Sequence, residues 1–298
     1  MELKKYQKRV LQDLSTYLDH LNAWSSLHEI FHNYWTKQDI TRPESYEDSG
    51  DGVPFVSLKV PTAGGKTLIG THAIGEIISR MTPGSPRVVL WFVPWDTLLR
   101  QTINNFRDTD HPYRRRLDEM FGAKVEVVDK DELLSGKWLN PTSVSEQVTI
   151  AVLSMQSFRA KNKEARKVHQ ENGAFIGFES QLDATKAPDG TQELSLSHVL
   201  KHLSPIVVVD ECHRVKSDLS KEFIHNLNAR FILWLSATPL SGANVISYVD
   251  AFELKQEEMV KLPVLAYNLR DKSEVIHKAV EIREHLEAHA KEEQKVSK

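Results

Sequence analysis

A single cysteine, Cys212, stands among 298 residues. That excludes an internal disulfide framework and suits a reducing compartment, so a cytoplasmic setting is expected. No apolar run reaches the roughly 18 residues that a membrane-spanning helix needs, and no membrane role is expected. The opening residues, MELKKYQKRV, are polar from the start, unlike a secretory leader. An excess of one charge is missing as well. The 38 basic and 41 acidic side chains leave a net charge of −3. A chain that is basic all over is excluded, while local basic patches are not. Arg114-Arg115-Arg116 and Arg159–Lys167 are two such patches. Each fits sequence-independent phosphate contact, and each also fits a solvated face.

What is present is an ordinary globular composition, 40% hydrophobic and 27% charged. Such a chain can bury a sizeable core as one large domain or two small ones. Leu3, Tyr6, Val10, Leu14, Leu18 and Leu21 recur at spacings of three and four, which predicts an amphipathic helix over 3–22. A second helix is expected over 23–36. Residues 41–54 (TRPESYEDSGDGVP) read as a loop.

Short apolar runs then alternate with helical stretches. Strands are expected at 55–60, 88–93, 124–128, 148–153, 206–209 and 231–235. Helices are expected at 67–80, 96–107, after Gln156 and at 218–227. Several of the runs are apolar throughout, as strands buried on both faces of a parallel sheet are. The alternation predicts an α/β fold with a doubly wound, mainly parallel sheet. Residues 159–198 break the alternation and read as an insertion at the sheet edge. Residues 271–298 are strongly charged with a thin stripe of Val275, Ala279, Ile282 and Leu286, which predicts a surface helix or connector.

Directly after the first strand stands Val60-Pro61-Thr62-Ala63-Gly64-Gly65-Lys66-Thr67, followed by a helix. A phosphate-binding loop needs small residues, because its backbone N–H groups wrap the phosphates closely and the following helix adds its positive end. Lys66 would reach the β- and γ-phosphates, and the Thr67 hydroxyl would sit on Mg²⁺. Val60 occupies the place of the first glycine in the full pattern. The bland alternative is a Gly-Gly turn before an ordinary helix.

The run Ile206-Val207-Val208-Val209 ends in Asp210-Glu211-Cys212-His213. The carboxyl ends of strands in such sheets are where ligands bind. Asp210 is placed to hold the Mg²⁺ that Thr67 also approaches, and Glu211 to orient and deprotonate an attacking water. His213 would couple the site to a neighbour, while Cys212 reads as a packing residue. One β-α-β step later, Leu235-Ser236-Ala237-Thr238-Pro239 ends a strand. Ser236 and Thr238 are candidates to hydrogen-bond His213 or Asp210 and relay the nucleotide state. On its own, the acidic pair also fits a solvated strand end that caps the next helix.

GGKT, DECH and SATP in this order, each after a strand, resemble motifs I, II and III of the superfamily 2 DEAD/DEAH-box-like helicases. Tyr6-Gln7 resembles the upstream glutamine motif, which implies contact with adenine. Phe92-Val93-Pro94-Trp95 with Leu98-Leu99-Arg100-Gln101 resembles motif Ia. Leu153-Ser154-Met155-Gln156-Ser157-Phe158 resembles a later nucleic-acid-contacting segment. DECHR, SMQSF and Met259-Val260-Lys261-Leu262-Pro263 look most like the Res subunits of type III restriction enzymes. The resemblance covers 1–160 and 199–265.

It implies a RecA-like P-loop NTPase domain over 55–269. A helical segment over 1–54 precedes it, and a connector over 270–298 leads toward a second RecA-like domain. It implies ATP and Mg²⁺ bound by Tyr6, Gln7, Thr62, Ala63, Gly64, Gly65, Lys66, Thr67 and Asp210. Pro94, Arg100, Ser154 and Gln156 would contact a nucleic-acid strand, DNA rather than RNA. Lys66, Thr67, Asp210, Glu211 and His213 would carry ATP hydrolysis. A nuclease and a modification subunit are the implied partners. The family's T-G-x-G-K-T stands here as T-A-G-G-K-T. If residue 63 takes a positive φ, Ala63 costs about 1 kcal/mol, with Gly64 expected to supply the flexibility. The second domain's arginine has no match in these residues. A nucleotide-responsive binding module with little turnover is therefore a second reading.

A third comes from another class. His28-Glu29-Ile30-Phe31-His32 satisfies H-E-x-x-H, which on a helix places two histidines one turn apart for zinc. No third ligand pattern follows it, and an amphipathic helix with Trp24, Leu27, Ile30, Phe31 and Trp35 buried and the histidines flanking explains the same residues.

Overall fold

The computed structural model describes residues 2–21, 26–38, 44–48, 52–154, 167–182, 194–211, 224, 227–239, 242–259 and 271–296. The chain forms two compact units, Met1–Val260 and Lys261–Lys298.

The first unit is built on a seven-stranded sheet in the order β3-β4-β2-β5-β6-β1-β7. The strands are β1 Phe55–Lys59, β2 Val88–Val93, β3 Val125–Val128, β4 Val148–Ser154, β5 Ile206–Asp210, β6 Phe231–Ser236 and β7 Val245–Tyr248. Every pairing is parallel. All residues of β2, β4 and β6 are buried, which is why their sequences do not alternate. The six expected strands are present to within one residue at each end. β7 was not legible: it is four residues long, and its register with β1 slips between Ser57 and Leu58.

Parallel neighbours require crossovers, and helices supply them. They are α3 Lys66–Ile78, α4 Asp96–Arg107, α5 Pro112–Phe121, α6 Lys130–Leu134, α7 Pro141–Glu146 and α8 Leu196–Leu203, with α9 Ala251–Gln256 after β7. α5 escaped the sequence pattern because it buries only Leu117. Gly70 lets α3 lie close on the sheet, since a Cβ there would come within 2.6 Å of Trp91 and 2.7 Å of Leu235.

The 159–198 insertion is described at 167–182 and from 194 onward. Its Val168, Phe175 and Phe178 are buried in the core, and the Asn172 amide donates to Leu134 O at 2.7 Å. Its last three residues, 196–198, open α8 rather than belonging to a separate excursion. The helix expected after Gln156, and all but Ile224 and Leu227 of the one expected at 218–227, lie outside the described residues.

The N-terminal helices, α1 Lys5–Leu21 and α2 Leu27–Thr36, close the β7 edge. They pack through Tyr17 and Tyr34, whose rings meet edge-on at 5.5 Å. An open sheet edge leaves backbone groups exposed to wrong pairing. Here the Tyr34 hydroxyl donates to Ile246 O at 2.6 Å, and Arg9 Nη2 donates to Tyr248 O at 2.8 Å. Arg9 also grips both carboxylate oxygens of Glu253 on α9.

Among the described residues the second unit contains one helix, α10 Lys272–Val296, with ion pairs Lys278–Glu281 and Arg283–Glu287 along it. This agrees with the expected charged helix. Among the described residues no helix is long and apolar enough to cross a membrane.

If Tyr34 seals the edge, Tyr34→Phe should lower stability by about 1–2 kcal/mol, the cost of stranding a buried carbonyl. Urea denaturation of parent and variant measures this. An unchanged midpoint would mean that the Ile246 carbonyl does not depend on the phenol.

Candidate nucleotide site at the strand ends

Because the strands are parallel, their carboxyl ends share one rim. The register puts Val93 beside Ser154, Asp210 beside Leu235 and Lys59 beside Ser236. Reading along the rim from β4 to β1, the chain therefore presents Ser154, Pro94, Asp210, Ser236 and the Val60–Thr67 loop. Segments far apart in sequence converge without any of them needing a special path.

The loop is held from behind. Val60 N donates to Ser236 O at 2.9 Å, and Gly64 N closes a turn on Pro61 O at 3.0 Å. The carbonyl of Gly64 faces α1, where it accepts from the Tyr6 hydroxyl at 2.9 Å and from Gln7 Nε2 at 3.3 Å. Gln7 Oε1 accepts from Lys4 N at 3.0 Å, so the amide's orientation is set. Tyr6 and Gln7 are both buried. In this state they grip the loop's backbone rather than facing outward.

Two loop residues take left-handed backbone, Ala63 at φ 69° and Gly65 at φ 74°. The condition set for Ala63 is met, and its strain is about 1 kcal/mol. Gly65, not Gly64, has the second positive φ, which corrects the expected source of flexibility. Gly65 also needs its missing side chain, since a Cβ would come within 2.5 Å of Gln7 Nε2. α3 starts at the next residue with no side-chain cap. Its first N–H groups thus remain available, as a phosphate cradle requires.

The acids meet this loop directly. The Thr67 hydroxyl donates to Asp210 Oδ2 at 3.2 Å across a sequence separation of 143. Lys66 Nζ lies 2.9 Å from Glu211 Oε1, with Lys66 only 8% exposed. Glu211 itself sits at φ 59°, an uncommon conformation for a residue with a side chain and one that clusters at functional sites. Burial, and then the neighbouring Glu211 charge, push the Asp210 carboxyl up to about 6. Lys66 and the Thr67 hydroxyl pull the other way without overcoming them. A half-buried carboxylate next to a hydroxyl, both short oxygen donors, is a donor set that suits a hard divalent cation.

The other expected residues fall as follows. Ser236 is buried and its hydroxyl accepts from Thr238 N at 3.2 Å; Thr238 is exposed. Thr62 is exposed at the loop's tip. Pro94 is half-buried, Arg100 is exposed on α4, and Ser154 is buried. Cys212, His213 and Gln156 lie outside the described residues, as does Arg159–Lys167 except for Lys167. The Arg114–Arg116 patch is neutralised in place: Arg114 pairs with Asp118, Arg115 with Asp110 and Arg116 with Glu119. His28 and His32 are exposed on α2, with His28 against the Tyr46 ring at 5.6 Å. Among the described residues no three His, Cys, Asp or Glu side chains converge to hold a metal, so the zinc reading gains no third ligand.

Two neighbours were not legible in the sequence. Tyr113 on α5 has its phenol raised by burial and then by the Asp210 charge. Leu254 of α9 reaches the loop, 3.5 Å from where a Gly64 Cβ would stand. Neither lies in a motif.

Residues 1–241 match the family model described as the res subunit of type III restriction enzymes. The chain belongs to the Res subunit family. Its α/β sheet is accordingly RecA-like, and it carries a superfamily 2 helicase-type motor domain. No curated protein matches it. Among solved structures it is similar to a nuclease-deletion mutant of the Type ISP restriction-modification enzyme LlaGI, in complex with a DNA substrate mimic. The TM-score is 0.44 at 13% identity, covering 87% of this chain and 21% of that one. It is also similar to the Pyrococcus furiosus Hef helicase domain, with TM-score 0.34 at 19% identity, covering 65% of this chain and 32% of that one. The Res-family chain thus spans no more than a third of either.

Asp210 gives a stability test. Its folded pKa lies above the unfolded value of 3.8, so the folded state holds the proton more tightly. The resulting stability is full below pH about 4 and is lost as pH rises through about 6. Above that, the charged form costs on the order of 2–3 kcal/mol. Asp210→Asn should therefore raise the melting temperature at pH 7.5, with the gain shrinking toward pH 4. Equal melting temperatures at pH 7.5 would show that the carboxylate is not strained.

Proposed function

We propose that the chain is a nucleic-acid-dependent ATPase motor domain of a helicase or translocase, acting on DNA in a cytoplasmic restriction-type system. The reading is supported above all by Thr67 on Asp210 and Lys66 on Glu211, two contacts that join the loop to the acids. Lys66 and Thr67 are paired within the chain, to Glu211 and Asp210. Nucleotide binding exchanges those partners for phosphate oxygens.

Lys66 leaves Glu211 for the β- and γ-phosphates, and the N–H groups at the start of α3 close around them. Thr67 and Asp210 would hold Mg²⁺, whose charge stabilises the transferring phosphoryl group. Glu211, released from Lys66, orients a water and accepts its proton as the water oxygen bonds to the γ-phosphorus. The bond to the ADP oxygen breaks. Tyr6 and Gln7 turn from the loop carbonyl toward adenine. His213, Ser236 and Thr238 pass the state of the site to the strand-binding rim, where Pro94, Arg100, Ser154 and Gln156 contact the nucleic acid.

A second RecA-like domain, in cis or in trans, supplies the arginine that completes the site, a contribution of about 10³–10⁵ in rate. A nuclease and a modification subunit complete the system. The internally paired Lys66 also favours a second reading for these 298 residues alone: a nucleotide-responsive nucleic-acid-binding module with slow hydrolysis.

Lys66→Ala should abolish binding of a fluorescent ATP analogue. Glu211→Gln should keep that binding and slow phosphate release about 10²–10⁴-fold. DNA should stimulate the parent more than RNA does. Turnover unchanged in Glu211→Gln would remove Glu211 as the base.

A further inference from the structure

Gly64 is approached by two elements. On α1, the Tyr6 hydroxyl donates to its carbonyl at 2.9 Å. On α9, the buried Leu254 lies 3.5 Å from where a Gly64 Cβ would stand. Arg9 ties the two elements together. It follows Tyr6 by one turn of α1 and holds Glu253, the residue before Leu254. Nη2 donates to Glu253 Oε1 at 2.7 Å and to Oε2 at 3.0 Å, and Nε donates to Oε1 at 3.2 Å. Nη2 also donates to Tyr248 O at 2.8 Å, shortly before α9 begins. Glu253 Oε2 accepts from Asp250 N at 3.1 Å as well, in the capping box that starts α9. Arg9 therefore fixes both where α9 starts and how it is turned.

The Arg9 and Glu253 side chains are 42% and 28% exposed, and an exposed ion pair adds little to the stability of a fold. The loop is where such a bracket matters. Ala63 precedes Gly64 at φ 69°, a conformation that a side chain disfavours by a factor of about 5. Strained backbone of this kind persists only where its surroundings impose it. Val60 N on Ser236 O anchors the start of the loop, and α3 fixes its end. Between them, Gly64 is the point at which α1 and α9 bear on the strained turn.

We propose that Arg9 is a positioning residue for the nucleotide site. By holding Glu253 it keeps Leu254 of α9 and Tyr6 of α1 closed on Gly64, and so keeps Ala63 in the strained form before any nucleotide arrives. Without that bracket the loop relaxes, and a nucleotide has to restore the strain as it binds. This rests on the chain binding a nucleotide at the loop. It adds α9 to that site, an element that carries no motif and touches no phosphate.

The test titrates the full chain with a fluorescent ATP analogue and follows urea denaturation of the same samples. Arg9→Ala should weaken the analogue about 5-fold, the strain of Ala63 expressed as affinity. Glu253→Gln should weaken it in the same direction. It guards against misfolding, because glutamine still serves the capping box while the charge is gone. Adding Ala63→Gly to Arg9→Ala should bring the affinity back close to the parent's, since glycine takes this φ without strain. The denaturation midpoint of that double variant should stay no higher than that of Arg9→Ala. A residue that only supports the fold would not give this split. Equal affinity in parent and Arg9→Ala would overturn the proposal. A loss that Ala63→Gly leaves in place would overturn it too, since the strained turn would not be what Arg9 holds. No binding of the analogue by the parent would instead remove the nucleotide reading beneath it.

Discussion

The ion pair between Lys66 and Glu211 ties together the parts on which the site depends. It spans 2.9 Å with Lys66 nearly buried, in a place where a lone ammonium would be costly. Beside it, the Thr67 hydroxyl meets the Asp210 carboxylate. These contacts join a loop after β1 to the end of β5, with β6 between them in the sheet. They need three strand ends to be level, and the parallel register makes them so. The raised pKa of Asp210 shows the other side of this arrangement. Two acids and one lysine leave net negative charge in a poorly solvated place.

Much of this was legible before any coordinates. Apolar runs such as VVLWFV and VTIAVL lack a polar face, and their shortness and β-branched content fit strands covered on both sides. Each chemical motif directly follows such a run. Sheet order was not legible, because nothing local to VTIAVL or IVVV says that β2 lies between them. β7 and α5 were missed for the same kind of reason: VISY is too short for a period, and PYRRRLDEMF buries one side chain.

The roles of single residues were less legible than the motifs. Gln7 holds the loop's back through Gly64 O, a contact that no motif announces. Arg114–Arg116 fitted a phosphate patch and a solvated face alike, and the partners that neutralise it are four, five and three residues away on the same stretch. The contacts of Arg9 with Tyr248 O and Glu253 depend on a separation of more than 230 residues. No local pattern encodes them. They also explain why the N-terminal helices belong with the sheet: they cover its edge while placing Tyr6 and Gln7 on the phosphate loop.

The account stands on the loop and the acids being one cooperative unit, and a double-mutant cycle tests this directly. Chemical denaturation of the parent, Lys66→Ala, Glu211→Gln and the double variant, without nucleotide, gives the coupling between the two side chains. The expected coupling is about 1–3 kcal/mol, with the double variant losing much less than the two single losses combined. Strictly additive losses would mean that Lys66 and Glu211 do not hold each other, and that the strand ends do not form the site described.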